Sequence, residues 1–519
     1  MKPLCTADQM RALDAWPIEE TGLPGLVLME NAGKGLAELI EEAVGPVEGL
    51  CAAVICGRGN NGGDGFVIGR WLERWGAEVV FYLLAETDTI QGDAGVNLKA
   101  VQSLGLPVIE VLDQAGADEL AQDLEGTDLV VDALLGTGLN SPVRGRYEQV
   151  IDLINACQAH VISVDIPSGL SADTGRIMGT GVRADLTGTF GAAKLGQAVH
   201  PGLDYCGDLE VIDISIPDSA PPWNQVGHFE LEPQDAAQLW PQPGPEAHKG
   251  DSGHLLILAG SPGKTGAACL TAQGALRSGA GLVTVGGPAG VHSILETKLT
   301  EAMTLPLSQT GDGFLARNAA AELAPFLEGK SALAIGPGLG TDPETKEVLA
   351  WILEKVPLPL VMDADALNLL AASPDLLRWC ADSAVLTPHP GEMARLLETT
   401  PAQVQADRIK AVRSLVRETG QVVVLKGART IVGSPEGDIF INPTGNQGLA
   451  CGGTGDVLTG IIAGLLAQGL STLEAALAGV YVHGSAGDIL AHEFQGRGFL
   501  AGEVARAVPR AVASLFEEV

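Results

Sequence analysis

Residues 446–466 read NQGLACGGTGDVLTGIIAGLL, and this stretch decides the fold of the second half of the chain. After the GGTGD turn, apolar pairs recur at helical spacing, at 457/458, 461/462 and 465/466. The turn therefore opens a buried helix, and its backbone amides and the helix dipole are suited to bind an anion. Asp456 ends the turn where a carboxylate takes a proton from an attacking hydroxyl, and the dipole favours its ionised form. The pattern predicts a phosphoryl-transfer site with Asp456 as the base.

Two other interpretations of the glycine-rich segments in this half have to be weighed. Asp456 could be only the N-cap of the helix, but a cap needs one residue and not a four-residue glycine loop. Residues 260–265, GSPGKT, resemble a phosphate-binding P-loop but lack the GxxxxGK[ST] spacing, which disfavours a P-loop NTPase.

A second glycine-rich loop, GRGNNGGDG at 57–65, follows an apolar run and precedes a helix predicted over 66–75. Its GxGxxG pattern is typical of a pyrophosphate site in NAD-dependent oxidoreductases, although any tight strand-to-helix turn also needs glycine. Asn60, Asn61 and Asp64 add polar side chains that a pyrophosphate cradle does not need. Asp64 is predicted to cap the helix, to bind a ribose hydroxyl or to bind a cation.

Aspartates also occur in two loops that end predicted strands, VDALLGTGL at 131–139 and VDIPSG at 164–169. Open α/β sheets bind ligands at the carboxyl ends of their strands, so Asp132 and Asp165 are expected to meet Asn61 in one crevice. Oxygen ligands from Asp, Asn and Ser suit a hard, weakly held cation. The alternative is that both aspartates only cap their loops. Lys194, at the end of another apparent strand, is placed to supply a positive charge.

Apolar runs alternate with helical patterns along the chain, which predicts open parallel sheets with helices on both faces. The predicted strands are 51–56, 79–85, 129–135, 160–166 and 209–216, then 254–260, 281–287, 332–338, 359–365, 384–391 and 422–427. Seven prolines between Pro217 and Pro245 interrupt this pattern and predict a linker or domain edge. We therefore predict two α/β domains, 1–220 and 228–519.

Composition narrows the classes of function. The chain of 519 residues has 64 acidic and 31 basic side chains, a net charge of −33, which argues against nucleic acid or a membrane surface as partner. The eight cysteines form no CxxC and no HExxH occurs, which predicts a reducing compartment and no zinc site. No signal peptide or bilayer-spanning stretch is evident, so we expect a cytoplasmic protein. A homo-oligomer would be usual for such an enzyme.

The first half resembles the NAD(P)H-hydrate epimerase family, through NNGGDG (60–65), DALLGTGL (132–139), VDIPSGL (164–170) and AAKLG (192–196). The resemblance implies a Rossmann-like fold that interconverts the 6R and 6S hydrates of NADH and NADPH. It implies dinucleotide contacts by Asn60, Asn61, Gly62, Gly63, Asp64, Gly136, Thr137, Gly138, Leu139, Asn140, Ser141 and Pro142. It also implies potassium held by Asn61, Asp132 and Ser168. Asp165 would contact the substrate, and we nominate Asp165 and Lys194 as the acid/base candidates.

The second half resembles the ADP-dependent NAD(P)H-hydrate dehydratase family and its ribokinase-like fold. The motifs are GSPGKTGAACLTAQGALRSGAGLVTV (260–285), GPGLG (336–340), VMDADALNLL (361–370), TPHPGEMARLL (387–397), LKGARTIV (425–432) and NPTGNQGLACGGTGDVLTGIIAGLL (442–466). The resemblance implies that ADP phosphorylates the ring hydroxyl of the 6S hydrate, which Asp456 deprotonates, and that phosphate then leaves.

By the same resemblance, the nucleotide contacts Lys426, Gly427, Ala428, Arg429, Thr430, Gly445, Asn446, Gln447, Gly448, Leu449, Ala450, Cys451, Gly452, Gly453, Thr454 and Gly455. The hydrate pocket is lined by Ala268, Gly338, His389 and Asp456, although His389 could instead be a structural residue at a strand end. Magnesium is expected to neutralise the phosphate charge. Asp363 and Asp365 either support that region or cap strand ends.

The leading hypothesis is a bifunctional repair enzyme that epimerises and dehydrates NADH and NADPH hydrates. One alternative is a ribokinase-like small-molecule kinase with a fused nucleotide-binding module, which would leave a stable phosphorylated product. A second is an NAD-dependent oxidoreductase built on Gly57, Gly59 and Gly62. In a third, the first domain only binds its ligand, without turnover. The sequence does not choose between ADP and ATP as donor.

Overall fold

The computed structural model describes residues 1–379 and 383–517, and the chain forms two compact units. One unit is Pro3–His228, and the other is Phe229–Val519 together with Met1–Lys2. Among the helices of the described residues, none combines the length and the apolar character needed to cross a membrane. The seven cysteines that the structure describes are unpaired, and Cys380 lies outside the described residues.

The first unit alternates strands with helices. Its strands are β1 (Lys2–Cys5), β2 (Cys51–Cys56), β3 (Glu78–Leu83), β4 (Val108–Glu110), β5 (Leu129–Ala133), β6 (His160–Val164), β7 (Leu186–Phe190), β8 (Ala193–Lys194) and β9 (Asp208–Ile212). Its helices are α1 (Ala7–Glu20), α2 (Gly25–Val44), α3 (Asn60–Arg74), α4 (Gly92–Ser103), α5 (Gln114–Asp123), α6 (Arg146–Ala156) and α7 (Leu203–Cys206).

The main sheet of this unit has the strand order β4-β3-β2-β5-β6-β7-β9, and all neighbouring strands run parallel. Counted along the chain within this sheet, the order is 3-2-1-4-5-6-7, which is the Rossmann order extended by one strand. The order reverses between β2 and β5, where such sheets bind their ligands. Strand β1 pairs separately with β8, in register Cys5 to Lys194.

The run CAAVIC in β2 is apolar throughout because both faces of the sheet are covered. Val54 and Cys56 belong to the core that contains Phe66 of α3. Ala53 and Ile55 belong to the core on the opposite face, beneath α5 and α6. Successive side chains of a strand point to opposite faces, so a doubly covered strand reads as an unbroken apolar run.

The second unit is also built of alternating elements. Its strands are β11 (His254–Leu258), β12 (Leu282–Pro288), β13 (Met303–Leu307), β14 (Ala332–Ile335), β15 (Leu360–Met362), β16 (Ala384–Leu386), β17 (Val422–Leu425), β18 (Ile431–Gly433) and β19 (Ile439–Ile441), after β10 (His228–Glu230) at the division. Its helices are α8 (Pro233–Leu239), α9 (Thr265–Arg277), α10 (His292–Lys298), α11 (Ala319–Leu323), α12 (Pro343–Lys355), α13 (Asp365–Ala371), α14 (Pro390–Leu396), α15 (Pro401–Ala406), α16 (Arg408–Thr419), α17 (Thr454–Ala467), α18 (Thr472–Glu493) and α19 (Ala501–Ser514).

Its sheet has the order β13-β12-β11-β14-β15-β16-β17-β18-β19. The strands run parallel from β13 to β17, and β18 and β19 are added antiparallel. Helix α17 is the helix predicted after the GGTGD turn, and it packs closely on α9. A Cβ on Gly460 would lie 2.0 Å from the carbonyl oxygen of Thr271, and one on Gly274 would lie 2.4 Å from that of Val457. Glycine at these positions lets the two backbones touch.

The α/β fold class is confirmed, and each of the eleven predicted apolar runs overlaps a strand. The helix predicted over 66–75 begins earlier, at Asn60, because 60–65 form its first turns and not a loop before it. The segment between Pro217 and Pro245 is not wholly a linker: it holds β10 and α8. Pro233 occupies the first position of α8, where its missing N–H costs nothing. The domain limits 1–220 and 228–519 stay a prediction.

We expect Gly460→Ala to lower the free energy of unfolding of the second unit by about 1–3 kcal/mol, because the added methyl group would overlap the Thr271 carbonyl. Hydrogen exchange of the α17 amides in increasing urea measures this. Gly266→Ala is the matched control on α9, because no atom lies within 4 Å of its added Cβ. Equal exchange in the two variants would contradict the packing described here.

Candidate active sites

A cavity of about 660 Å³ lies in the first unit, next to the loops that follow β2 and β5. It therefore occupies the place where the strand order reverses. The predicted site residues that line it are Asn60, Asn61, Asp64, Gly136, Thr137, Gly138, Leu139, Asn140, Ser141, Asp165 and Lys194. Gly62, Gly63 and Pro142 are not among its lining residues. A Cβ on Gly62 would lie 2.0 Å from the carbonyl oxygen of Gly57, so Gly62 has a packing role.

Asp165 and Lys194 are in direct contact, as expected for a catalytic pair. Lys194 Nζ donates to Asp165 Oδ1, to Thr189 Oγ1 at 2.9 Å and to the Phe190 carbonyl at 3.0 Å. The Lys194 side chain is fully buried, whereas Asp165 reaches the cavity. Asp165 has a φ of +65°, a strained backbone for a residue other than glycine, and Gln197 holds its carbonyl at 2.8 Å. This pair supplies a carboxylate that a buried cation fixes in place.

Asp132 and Ser168 also meet. Ser168 Oγ donates to Asp132 Oδ1 at 2.6 Å, and Asp132 Oδ2 accepts from Ser163 Oγ and from the Ser168 amide, both at 2.9 Å. Burial raises the pKa of Asp132, and these hydrogen bonds oppose the rise. Ser168 Oγ accepts from the Leu135 amide at 2.8 Å. Asn61 packs against the next residue, Gly136, and its amide nitrogen is buried without a partner. The three predicted potassium ligands thus converge on one loop.

Two further carboxyl groups face this cavity. Asp64 lies inside α3, whose N-cap is Gly59, so the prediction that Asp64 caps the helix is wrong. Burial, with the charges of Asp165 and Asp14, raises the pKa of Asp64 well above its usual range. Asp14 on α1 was missed in the sequence. Its pKa is raised to about 6, chiefly by burial.

In the second unit, Asp456 stands in the first turn of α17. Gly453, with a φ of +98°, occupies the N-cap position, so the interpretation of Asp456 as the cap is wrong. The pKa of Asp456 is raised to about 6 by burial and by the charge of Asp363, and Lys426 opposes the rise. The sequence had suggested the opposite direction from the helix dipole; burial outweighs the dipole here. A carboxyl group poised near neutrality is suited to proton transfer.

Lys426 links this helix to the ends of β15 and β17. Its Nζ donates to Asp363 Oδ1 at 2.6 Å and lies 4.0 Å from Glu392 Oε2. Thr459 of α17 donates to the other Asp363 oxygen at 2.8 Å. Burial lowers the pKa of Lys426, but the nearby carboxylates, with Asp363 first, raise it more. Lys426 is therefore a fixed positive charge beside Asp456.

The predicted nucleotide residues form two loops, 426–430 after β17 and 445–455 before α17. The loops meet, because a Cβ on Gly455 would lie 3.3 Å from Lys426 Nζ. Asp488 holds the second loop through the Gly445 amide and the Asn446 side chain, both at 2.8 Å. The guanidinium of Arg408 donates to backbone carbonyls of the first loop, those of Leu425, Ala428 and Arg429.

His389 caps a helix. Its Nδ1 accepts from the Gly391 amide at 2.9 Å, and the Glu392 side chain accepts from the His389 amide at 2.8 Å. The structural interpretation of His389 thus has direct support, although half of its side chain is exposed. Ala268 is fully buried in the core, and Gly338 has a φ of +61°, with its carbonyl bound by Ser261.

The other two aspartates of this region are already engaged. Both oxygens of Asp363 have partners, Lys426 and Thr459, and Asp365 accepts from Lys264 and from the Gly340 amide. Among the residues that the structure describes, no group of three or more His, Cys, Asp or Glu side chains is arranged to hold a metal ion.

Comparison with known proteins places both sites in one family. The NAD(P)H-hydrate dehydratase family model matches residues 255–510, and the model of the YjeF-related protein N-terminus matches 25–196. A bifunctional NAD(P)H-hydrate repair enzyme from Moorella thermoacetica is 44% identical over 99% of this chain and 98% of its own length. The chain belongs to the family of bifunctional NAD(P)H-hydrate repair enzymes. The family member from Escherichia coli K12 is 38% identical over 98% of this chain and 93% of its own length.

Two solved structures are similar to part of the chain. The ADP/ATP-dependent NAD(P)H-hydrate dehydratase from Bacillus subtilis, co-crystallised with ATP and Mg²⁺, is 32% identical. The match covers 55% of this chain and 97% of the Bacillus subtilis chain, with a TM-score of 0.48. A ribokinase-like superfamily protein from Enterococcus faecalis is 28% identical, with a TM-score of 0.49, over 56% of this chain and 96% of its own. The resemblance to the two repair-enzyme families inferred from the motifs is confirmed.

We expect Asp363→Asn to destabilise the second unit by about 3 kcal/mol or more, because it leaves the Lys426 ammonium without its buried counter-charge. Asp365→Asn is the matched control. Its partner Lys264 is half exposed, so the loss should stay below about 1 kcal/mol. Hydrogen exchange of the α17 amides in increasing urea measures the free energy of unfolding of the two variants. Equal losses would show that the Lys426–Asp363 pair stabilises the unit no more than the Lys264–Asp365 pair does.

Proposed function

We propose that this chain repairs hydrated NADH and NADPH, with the first unit epimerising the 6R and 6S hydrates and the second dehydrating the 6S hydrate with ADP. The observation that carries the proposal is the full-length match to a bifunctional repair enzyme at 44% identity. The geometry supports it: each unit holds a lysine–aspartate ion pair beside further carboxyl groups, with Lys194 buried in the first unit and Asp363 buried in the second. The remaining assignments, including every residue role, are proposals.

In the dehydration, Asp456 accepts the proton of the ring hydroxyl as that oxygen attacks the terminal phosphorus of ADP. The bond to AMP breaks, and AMP leaves. The C6–O bond of the phosphate ester then breaks, phosphate departs, and loss of a proton from C5 restores the dihydropyridine. Lys426 and the backbone amides of 452–455 stabilise the negative charge that develops on the transferred phosphoryl group near Asp456.

The two loops, 426–430 and 445–455, are proposed to hold the nucleotide. Magnesium, when bound with the phosphates, neutralises their charge. Asp363 is committed to Lys426 and Thr459, so we do not assign it to magnesium.

In the epimerisation, Asp165 is the proposed base, and Lys194 fixes its position. The donor set Asn61, Asp132 and Ser168 consists of amide, carboxylate and hydroxyl groups, which fits a hard, weakly held cation such as potassium. The convergence of these three side chains on the Leu135–Gly136 loop supports this assignment. Potassium would hold the Leu135–Gly136 loop against the end of β6. We further propose a cytoplasmic location and small-molecule partners, since a net charge of −33 disfavours polyanionic surfaces.

We expect Asp456→Asn to lower the kcat of dehydration by about 10²–10⁴-fold, because the hydroxyl loses its base. In the wild type the base must be ionised, so the rate should rise with pH through the Asp456 pKa of about 6 and then level off. The absorbance of reduced nicotinamide, with 6S hydrate, magnesium and ADP, measures both effects. Asp312→Asn, at an exposed position of the same unit, is the control. A stable phosphorylated product without regain of absorbance would favour the kinase alternative.

The bifunctional assignment is tested with a mixed hydrate sample. Wild-type protein should restore the absorbance of the whole mixture, whereas Asp165→Asn should stop at the 6S fraction, apart from spontaneous epimerisation. Asp88→Asn, exposed on the first unit, should behave like the wild type. If the wild type also stops at the 6S fraction, the first unit is a binding module without turnover.

A further inference from the structure

Helix α1 carries a carboxyl group that no matched motif contains. Met10, Asp14 and Ile18 are spaced four residues apart, so they share one face of the helix, and all three line the cavity of the first unit. Asp14 therefore faces the same space as Asp165 and Lys194. The family model begins only at residue 25, after this helix.

Asp14 has no structural task that accounts for its burial. Within the described residues, its carboxyl group has no hydrogen-bond or ion-pair partner. Helix α1 is held by other contacts: a capping box of Thr6 and Gln9, a 2.7 Å bond from the Ala7 amide to Asp173, and the fully buried Leu13. A partly buried carboxyl group without a partner is unfavourable for folding. Its position in the wall of the cavity that also contains Asp165 and Lys194 indicates a role toward the substrate.

The charged groups around Asp14 differ from those around Asp165. Asp64 faces it from α3, Asp165 from the end of β6 and Lys194 from β8. The remaining charged groups of the cavity wall are Arg11, Arg58 and Asp93. Asp165 has the Lys194 ammonium in direct contact, whereas Asp14 has only the more distant charge. Asp165 is thus fixed by an ion pair, whereas burial raises the pKa of Asp14 to about 6.

We propose that Asp14 is the second proton-transfer group of the epimerisation, acting opposite Asp165 in the same cavity. This inference rests on the proposed epimerase function. When C6 is inverted by loss and re-addition of water, the hydroxyl leaves one face and water adds to the other, so one group must donate a proton and another must accept one.

Asp14 donates its proton to the C6 hydroxyl, the C6–O bond breaks, and water leaves as the ring nitrogen's lone pair forms a C=N bond. Water then attacks C6 from the opposite face, the electrons of the C=N bond return to nitrogen, and Asp165 takes the proton of the attacking water. Asp14 is then ionised and Asp165 protonated, which is the state needed to convert the epimer back.

The test uses the full chain and purified 6R hydrate without ADP, and chromatography follows its conversion to 6S. Asp14→Asn should lower the kcat of exchange by about 10²-fold or more, with little change in KM, and Asp14→Glu should restore part of it. The wild-type rate should fall as pH rises through about 6, where Asp14 loses its proton, and this limb should vanish in Asp14→Asn. Glu19→Gln, exposed on the same helix, is the matched control.

Dehydration of the 6S hydrate by Asp14→Asn reports whether this variant is folded. Its dehydration rate should equal that of the wild type. Exchange by Asp14→Asn at the wild-type rate, or an unchanged pH profile, would overturn the role of Asp14 while leaving the epimerase function intact. Failure of the wild type to exchange the hydrates would instead refute the proposed function itself. In H₂¹⁸O, each inversion should place ¹⁸O on C6, and retention of the original oxygen would exclude the water-loss route.

Discussion

In a parallel sheet all strands end at the same edge, and this constraint places the functional groups of both units. In the first unit, the ends of β2, β5 and β6 bring Asn61, Asp132 and Asp165 to the point where the strand order reverses. In the second, the ends of β15 and β17 bring Asp363 and Lys426 together, and α17 adds Asp456. The common edge of the parallel strands thus brings together residues that are far apart in the chain.

The two units solve the same electrostatic problem in a similar way. Each pairs a lysine with a strand-end aspartate, Lys194 with Asp165 and Lys426 with Asp363. Each also keeps a neighbouring carboxyl group whose pKa is about 6, chiefly because it is buried, with the lysine opposing the rise. The aspartate of the pair differs in exposure between the units. Asp165 lines the cavity of the first unit, whereas Asp363 is buried in the second. A shared charge pattern therefore serves two different reactions.

Local patterns in the sequence predict most of the fold and part of each site. Apolar runs mark the strands because both sheet faces are covered, and glycine turns mark the loops at strand ends. What depends on tertiary contacts was not predicted: the start of α3 at Asn60, the antiparallel β18 and β19, and the pKa of Asp456. Asp14 and Arg408 lie in no motif, and their surroundings come from distant segments. His389 shows the converse, a motif residue whose visible contacts are those of a helix cap.

The burial of Lys194 also affects how readily this lysine is acylated. Lysine is a common target of acylation, which removes its charge. Here the ammonium has no exposed surface, and three acceptors saturate its hydrogens. Reactive thioesters and acyl phosphates would consume the surface lysines first. Burial thus shields the Lys194 ammonium, and its contact with Asp165, from acylating reagents.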